Sequence, residues 1–183
     1  MVVILEKGQS VNINLPKFVV GLGWEVNASS IADLDAFVFI LGENKKLLTD
    51  SYFVFFNNLV SPDNAVELEH TGDNFTGEGD GDIESIKIDL SKINPNATEL
   101  CFVVSIYDAE VYKQDFGQVH NSFVRVYNPD NNEEIFKYEL EEDFSVETAV
   151  EFVRLYKRNG EWKFEAIGIG VKGDLRDLIN KYN

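Results

Sequence analysis

The stretch Gly72-Asp73-Asn74-Phe75-Thr76-Gly77-Glu78-Gly79-Asp80-Gly81-Asp82-Ile83-Glu84 sets five carboxylates among four glycines. Glycine lets the backbone fold tightly enough to turn carbonyls and short side chains toward a common point. Calcium takes about six to eight oxygen ligands at roughly 2.3–2.6 Å, from carboxylates, amides, carbonyls and water. Every polar group of the stretch is of that kind. Nitrogen and sulfur donors are missing, which disfavours zinc, copper and iron.

Known loop patterns do not account for the spacing. An EF-hand register begun at Asp73 puts Phe75, Gly77 and Gly79 where ligands belong, although Glu84 falls at the twelfth place. Begun at Asn74, the loop ends on Ser85 instead of glutamate. A phosphate cradle at Gly77, Gly79 and Gly81 is equally unsuitable, because Glu78 and Asp80 between them would repel an anion.

Two other places can add oxygens. Asp33-Leu34-Asp35 opens an apolar run. In a strand, residues two apart point the same way about 6.7 Å from one another, close enough to lean onto one ion. The same reading applies to Asp80, Asp82 and Glu84 if that stretch is extended. Asn57-Asn58 could offer amide or backbone oxygens. On spacing alone, an acidic Gly-rich stretch is more often a solvated loop than a calcium site. Seven acids meeting in one place (Asp33, Asp35, Asp73, Glu78, Asp80, Asp82, Glu84) would need a cation to offset their repulsion.

The elements that must position these groups read mostly as strands. Phe18 to Val20, Ala36 to Leu41, Tyr52 to Phe56, Ile86 to Leu90, Leu100 to Tyr107 and Ser122 to Tyr127 are short runs rich in Val, Ile, Phe and Tyr. Gly, Pro, Asn or Asp bound each of them. One hairpin joins Phe123–Tyr127 to Glu134–Leu140, and a second joins Thr148–Lys157 to Glu161–Ile169 through Asn159-Gly160. That dipeptide suits a type I′ turn, whose central residues both need φ > 0. Asp174 to Asn180 has its leucines and isoleucine at helical spacing, with Gly173 and Asp174 as breaker and cap. The expectation is an all-β protein, an antiparallel β-sandwich with short helical segments including one at the C-terminus, as a single domain over 1–183.

Composition narrows the function. Sixteen basic against 32 acidic residues in 183 give a net charge of −16, which argues against nucleic acid and anionic membrane as partners. One cysteine and two histidines cannot fill an ordinary zinc site or make an internal disulfide. No apolar run approaches the roughly 20 residues of a membrane helix, and the N-terminus does not read as a signal peptide. A cytoplasmic protein is expected.

The remaining chemical side chains have plainer readings. Cys101 lies in an apolar strand and is expected in the core. Trp24 and Trp162 are expected to fill the sandwich. Asp108 and Glu110 suit a solvated strand end. His70 stands beside Asp73 and could bond to a ligand carboxylate, whereas His120 reads as a loop residue. No nucleophile elbow or coupled base is visible.

Several blocks resemble the TerD family of bacterial tellurite-resistance and general stress-response proteins. They are Val20-Gly21-Leu22-Gly23-Trp24, Asp33-Leu34-Asp35-Ala36, Asn57-Asn58-Leu59, His70 to Asn74 with Thr76 to Asp82, Ile88-Asp89-Leu90, Phe116 to Val119, Asn121 to Val126 and Arg158 to Phe164. The match runs in order from about Leu5 to Gly170. The resemblance implies a β-sandwich whose loops bind two calcium ions. By position the ligand candidates are Asp33, Asp35, Asp73, Asn74, Glu78, Asp80, Asp82 and Glu84, with Asn57 and Asn58 weaker. This chain departs from the family at Ile83, where members often carry another acid, and in a short Gly23–Ile31 segment. The expected function is a non-catalytic, calcium-loaded module that docks other stress-response or tellurite-resistance proteins. A metal-dependent hydrolase, a calcium-bridged membrane binder and direct tellurite chemistry at Cys101 are the rival readings.

Overall fold

The computed structural model describes residues 1–26, 32–69, 81–141 and 144–183. Among them are twelve strands in two facing six-stranded sheets. The first sheet runs, in spatial order, β1 (Val3–Leu5), β10 (Glu134–Glu139), β9 (Val119–Tyr127), β3 (Lys17–Val26), β7 (Glu84–Asp89) and β6 (Val66–Glu69). The second runs β2 (Ser10–Asn12), β12 (Glu161–Val171), β11 (Ala149–Arg158), β8 (Glu99–Ile106), β4 (Leu34–Leu41) and β5 (Phe53–Val54). All pairs are antiparallel except β1 with β10. A single helical turn, α1 (Ala109–Tyr112), a C-terminal helix, α2 (Leu175–Tyr182), and two 3₁₀ turns, Asp50–Tyr52 and Phe116–Gln118, complete the set. The antiparallel sandwich expected from the sequence is what forms.

The two sheets bury their strands differently, and the sequence shows why. In β7, Ile86 and Ile88 are buried while Lys87 between them is exposed, the alternation of a sheet with one wet face. In β4 and β8 nearly every residue is buried. Their inward residues, such as Val38, Ile40, Phe102 and Val104, join the core between the sheets. Their outward ones, Phe37, Phe39, Cys101 and Val103, pack under Leu178 and Tyr182 of α2. Continuous apolar runs therefore mark the strands that α2 covers. Trp24 and Trp162 both belong to the inter-sheet core, as expected.

Local signals act where they were read. Asn159 (φ 53°) and Gly160 (φ 82°) form the β11–β12 turn. The Asp174 carboxylate accepts from the N–H groups of Arg176 (2.8 Å) and Asp177 (3.1 Å), and Asp177 returns a bond to the Asp174 N–H, a reciprocal cap on α2. The Tyr52–Phe56 run departs from expectation. A 3₁₀ turn occupies Asp50–Tyr52, only Phe53–Val54 is strand, and the chain turns back at once. Asn58 causes this: its side-chain amide donates to the carbonyls of Ser51 (3.0 Å) and Phe53 (2.7 Å), and its backbone exchanges bonds with Phe55.

Strand direction determines what gathers where. β3 ends, β4 begins, β6 ends, β7 begins, β8 ends, β9 begins, β10 ends and β11 begins at one end of the sandwich, as Leu22↔Glu84, Val26↔Val119, Leu34↔Ile106, Glu69↔Ser85 and Ala149↔Ser105 register them. β12 also ends there, so α2 starts there and runs back across the second sheet.

Candidate metal-binding end

Of the ten ligand candidates, Asp33, Asp35, Asn57, Asn58, Asp82 and Glu84 are among the described residues, whereas Asp73, Asn74, Glu78 and Asp80 lie outside them, as does His70. Asp33 and Asp35 open β4 on the second sheet, both half-buried. The Asp33 carbonyl accepts from the Tyr107 N–H at 2.7 Å, which ties the start of β4 to the end of β8. Asp35 shares the outward register of Phe37, away from Leu34 and Ala36 in the core. Asp82 and Glu84 stand at the start of β7 on the opposite sheet.

Asp82 and Glu84 do not lean the same way, which corrects the extended reading of that stretch. Strand pairing begins only at Glu84, and the Ile83 N–H bonds to the Leu22 carbonyl ahead of it. Glu84 is 4% exposed and shares the register of Ile86 and Ile88, both in the inter-sheet core. The Asp82 carboxylate instead lies over Gly21 on the outer face of the first sheet. There it accepts a two-point grip from Arg125, Nε to Oδ1 at 2.7 Å and Nη2 to Oδ2 at 3.1 Å. Arg125 also reaches Glu134 at 3.4 Å and stacks on the Tyr127 ring. The hydrogen bonds that Arg125 donates to Asp82 raise the Arg125 pKa above its ordinary value. Burial does the same to the Tyr127 hydroxyl.

Asn57 is exposed and Asn58 half-buried beyond β5, near the same end. The Leu68 N–H bonds to the Leu59 carbonyl, which sets this turn beside β6. The Asn58 amide nitrogen is committed to the turn described above, so only its oxygens are left for an ion. Among the described residues, no three of His, Cys, Asp and Glu converge closely enough to hold an ion. The described candidates thus form the rim of the end on both sheets, and the strands flanking residues 70–80 both terminate there.

Sequence reasoning did not find Arg125 as the partner of Asp82, 43 positions away. Nor did it find the buried polar cluster beneath α2. There Glu151, 3% exposed, accepts from Lys181 Nζ and from the Tyr182 hydroxyl, each at 2.6 Å. The same hydroxyl lies 3.4 Å from Cys101 Sγ. Burial pushes the Cys101 thiol up to about 12, so it is an inert core group, as its apolar strand suggested. Asp108 and Glu110 are exposed, also as expected.

Two facing antiparallel sheets, with acidic strand starts from both collected at one end, define the chain as an acid-ended β-sandwich. The model of the TerD domain matches residues 1–182, and the chain belongs to that family. It is 46% identical to "Tellurium resistance protein TerD" of Serratia marcescens, over all of this chain and 97% of that one. It is 44% identical to "General stress protein 16U" of Bacillus subtilis, with the same coverage. The fold matches the crystal structure of a telluride resistance protein (TerD) homologue from Streptomyces coelicolor with a TM-score of 0.68 at 20% identity, over 91% of this chain and 96% of that one. These relatives bear the names of resistance and stress proteins, not of enzymes. No helix among the described residues is long and apolar enough to cross a membrane.

Proposed function

We propose that this chain is a non-catalytic calcium-binding module of the bacterial stress response, acting in the cytoplasm by docking partner proteins. The observation that carries this reading is topological. Asp33 and Asp35 on one sheet, Asp82 and Glu84 on the other, and both strands flanking residues 70–80 come to the same end of the sandwich. The donors are all oxygens, which suits calcium and not a softer metal. Asp33, Asp35 and Glu84 would contribute from the described strands, joined by Asp73, Asn74, Glu78 and Asp80, with Asn57 and Asn58 at the rim. Calcium, when bound, supplies the positive charge that offsets repulsion among these carboxylates. Asp82 serves differently: held by Arg125, it anchors the start of β7. Since binding to the native state alone stabilises it, calcium adds to fold stability in this reading.

The test is calorimetric titration of calcium into chelator-stripped protein, with melting curves at both ends and magnesium as control. Two calcium-selective sites and a large rise in Tm are expected. No heat and no shift would overturn the reading.

A further inference from the structure

A second feature of the same end has the character of a docking surface. α1 is one turn long, and both its flanking residues, Asp108 (φ 48°) and Lys113 (φ 54°), sit in the left-handed region without being glycine. Such residues are uncommon and carry strain that the surrounding structure must hold in place. The turn they brace displays apolar side chains to water: Tyr107 is 51% exposed, Tyr112 65% and Val111 71%. Large apolar groups grouped in so short a span are what mark interaction sites on otherwise polar surfaces.

Beside this turn runs a groove of 430 Å³ between α1, the start of β4 and the start of α2. Its apolar lining comes from Phe37, Phe56, Leu175 and Ile179, continued outward by Val111. Its polar rim is one-sided. Asp35, Asp108, Glu110 and Asp174 line it, against a single cation, Arg176. Apolar floor and acidic rim together select a ligand with the complementary pattern, an apolar stripe flanked by lysine or arginine. An amphipathic helix with apolar residues at i, i+3, i+4 and i+7 has that pattern. Anionic lipid and a second copy of this net −16 chain have the wrong charge.

We infer that the α1–α2 groove docks a basic amphipathic helix of a partner protein. This inference gives a location and a partner chemistry to the docking half of the proposed function. It does not require the calcium half. Asp35 belongs both to the rim and to the candidate ligand set, so calcium loading would lower the charge of the rim.

The probe is a fluorescein-labelled leucine–lysine helix peptide, with a peptide of identical composition and scattered leucines as control, each titrated by anisotropy in calcium and in chelator. The patterned peptide is expected to bind at least about tenfold tighter than the scattered one in at least one buffer. Glu110→Lys and Val111→Ser are each expected to weaken it about tenfold, while Asp130→Lys, which changes net charge as much as Glu110→Lys on a distant exposed loop, leaves it within about twofold. All three residues are exposed, so melting curves should stay near wild type. Equal binding of the two peptides, equal loss with Asp130→Lys, or no binding in either buffer would overturn the inference. So would tighter binding to zwitterionic phosphatidylcholine vesicles than to the peptide. Peptide binding that survives in chelator, beside a flat calcium titration, would remove the calcium reading and leave this one standing.

Discussion

The Asp82 carboxylate fills the space that a methyl group at residue 21 would occupy, so the glycine of β3 and the acid ahead of β7 are fitted to one another. Gly21 leaves the outer face of the sheet bare at one point, and Asp82 can lie flat there within reach of Arg125. Gly21→Ala should expel the carboxylate from that grip and lower stability by about 1–3 kcal/mol, read from urea unfolding. Removing Asp82 as well should cancel most of the clash. In a double-mutant cycle, Gly21→Ala should cost much less in the Asp82→Ala background, and simple additivity would show that the two residues are not coupled.

The same pairing separates two kinds of acid at this end. Asp33→Asn combined with Asp35→Asn should remove one calcium from the calorimetric stoichiometry or weaken a site at least about tenfold, because each change takes a charged oxygen donor out of the proposed ligand set. Asp82→Asn should lower Tm and leave the stoichiometry intact. Loss of an ion with Asp82→Asn would instead make Asp82 a ligand that Arg125 releases.

Alkaline stability should reveal the Cys101 thiol. Its ordinary value is 9.0, and burial raises it to about 12 in the folded chain. The folded state thus keeps a proton that the unfolded state gives up. The contribution to stability is complete below pH 9 and declines as pH rises from 9 toward 12, by at most about 1.4 kcal/mol per pH unit. Burial shifts the Tyr182 hydroxyl the same way from its ordinary value of 10.0, so Cys101→Ala should lose stability only above about pH 10, whereas wild type begins to lose it above pH 9. Wild type should lose it more steeply. Iodoacetamide should modify Cys101 only under unfolding conditions.

The attachment of α2 rests on a few polar contacts in an apolar setting. Tyr182→Phe should cost about 1–2 kcal/mol by removing the hydroxyl that donates to the buried Glu151 carboxylate beside Lys181. Urea unfolding monitored by far-UV circular dichroism reads this, and an unchanged midpoint would assign the seating of α2 to its apolar packing, the Tyr182 ring included.

How far the sequence revealed this arrangement depended on how local each signal was. Asn159-Gly160 and the Asp174 cap work within a few residues, and both were legible. Continuous apolar runs identified β4 and β8, although nothing in those runs told which face α2 would cover. The Tyr52–Phe56 run misled because its end is decided by the Asn58 amide bonding backward to Ser51 and Phe53, not by its own apolar content. β2 has one apolar residue and β6 only four positions, so each is a strand by virtue of its neighbour. At the site, residue types pointed to oxygen coordination. The opposite facing of Asp82 and Glu84 was hidden, because it depends on Arg125, on a distant strand, and on where β7 pairing begins.

The strand pairings of the first dozen residues have a consequence for synthesis. β1 joins β10 at Phe136–Tyr138, and β2 joins β12 at Lys163–Glu165. Neither can take its place until its partner strand has left the ribosome. Two short segments with apolar Val3, Ile4, Leu5 and Val11 therefore wait, unpaired, for the longest-range contacts of the fold. The sandwich is closed by strands made well before their partners, and a nascent chain stalled short of β10 would present both to whatever holds unfinished proteins.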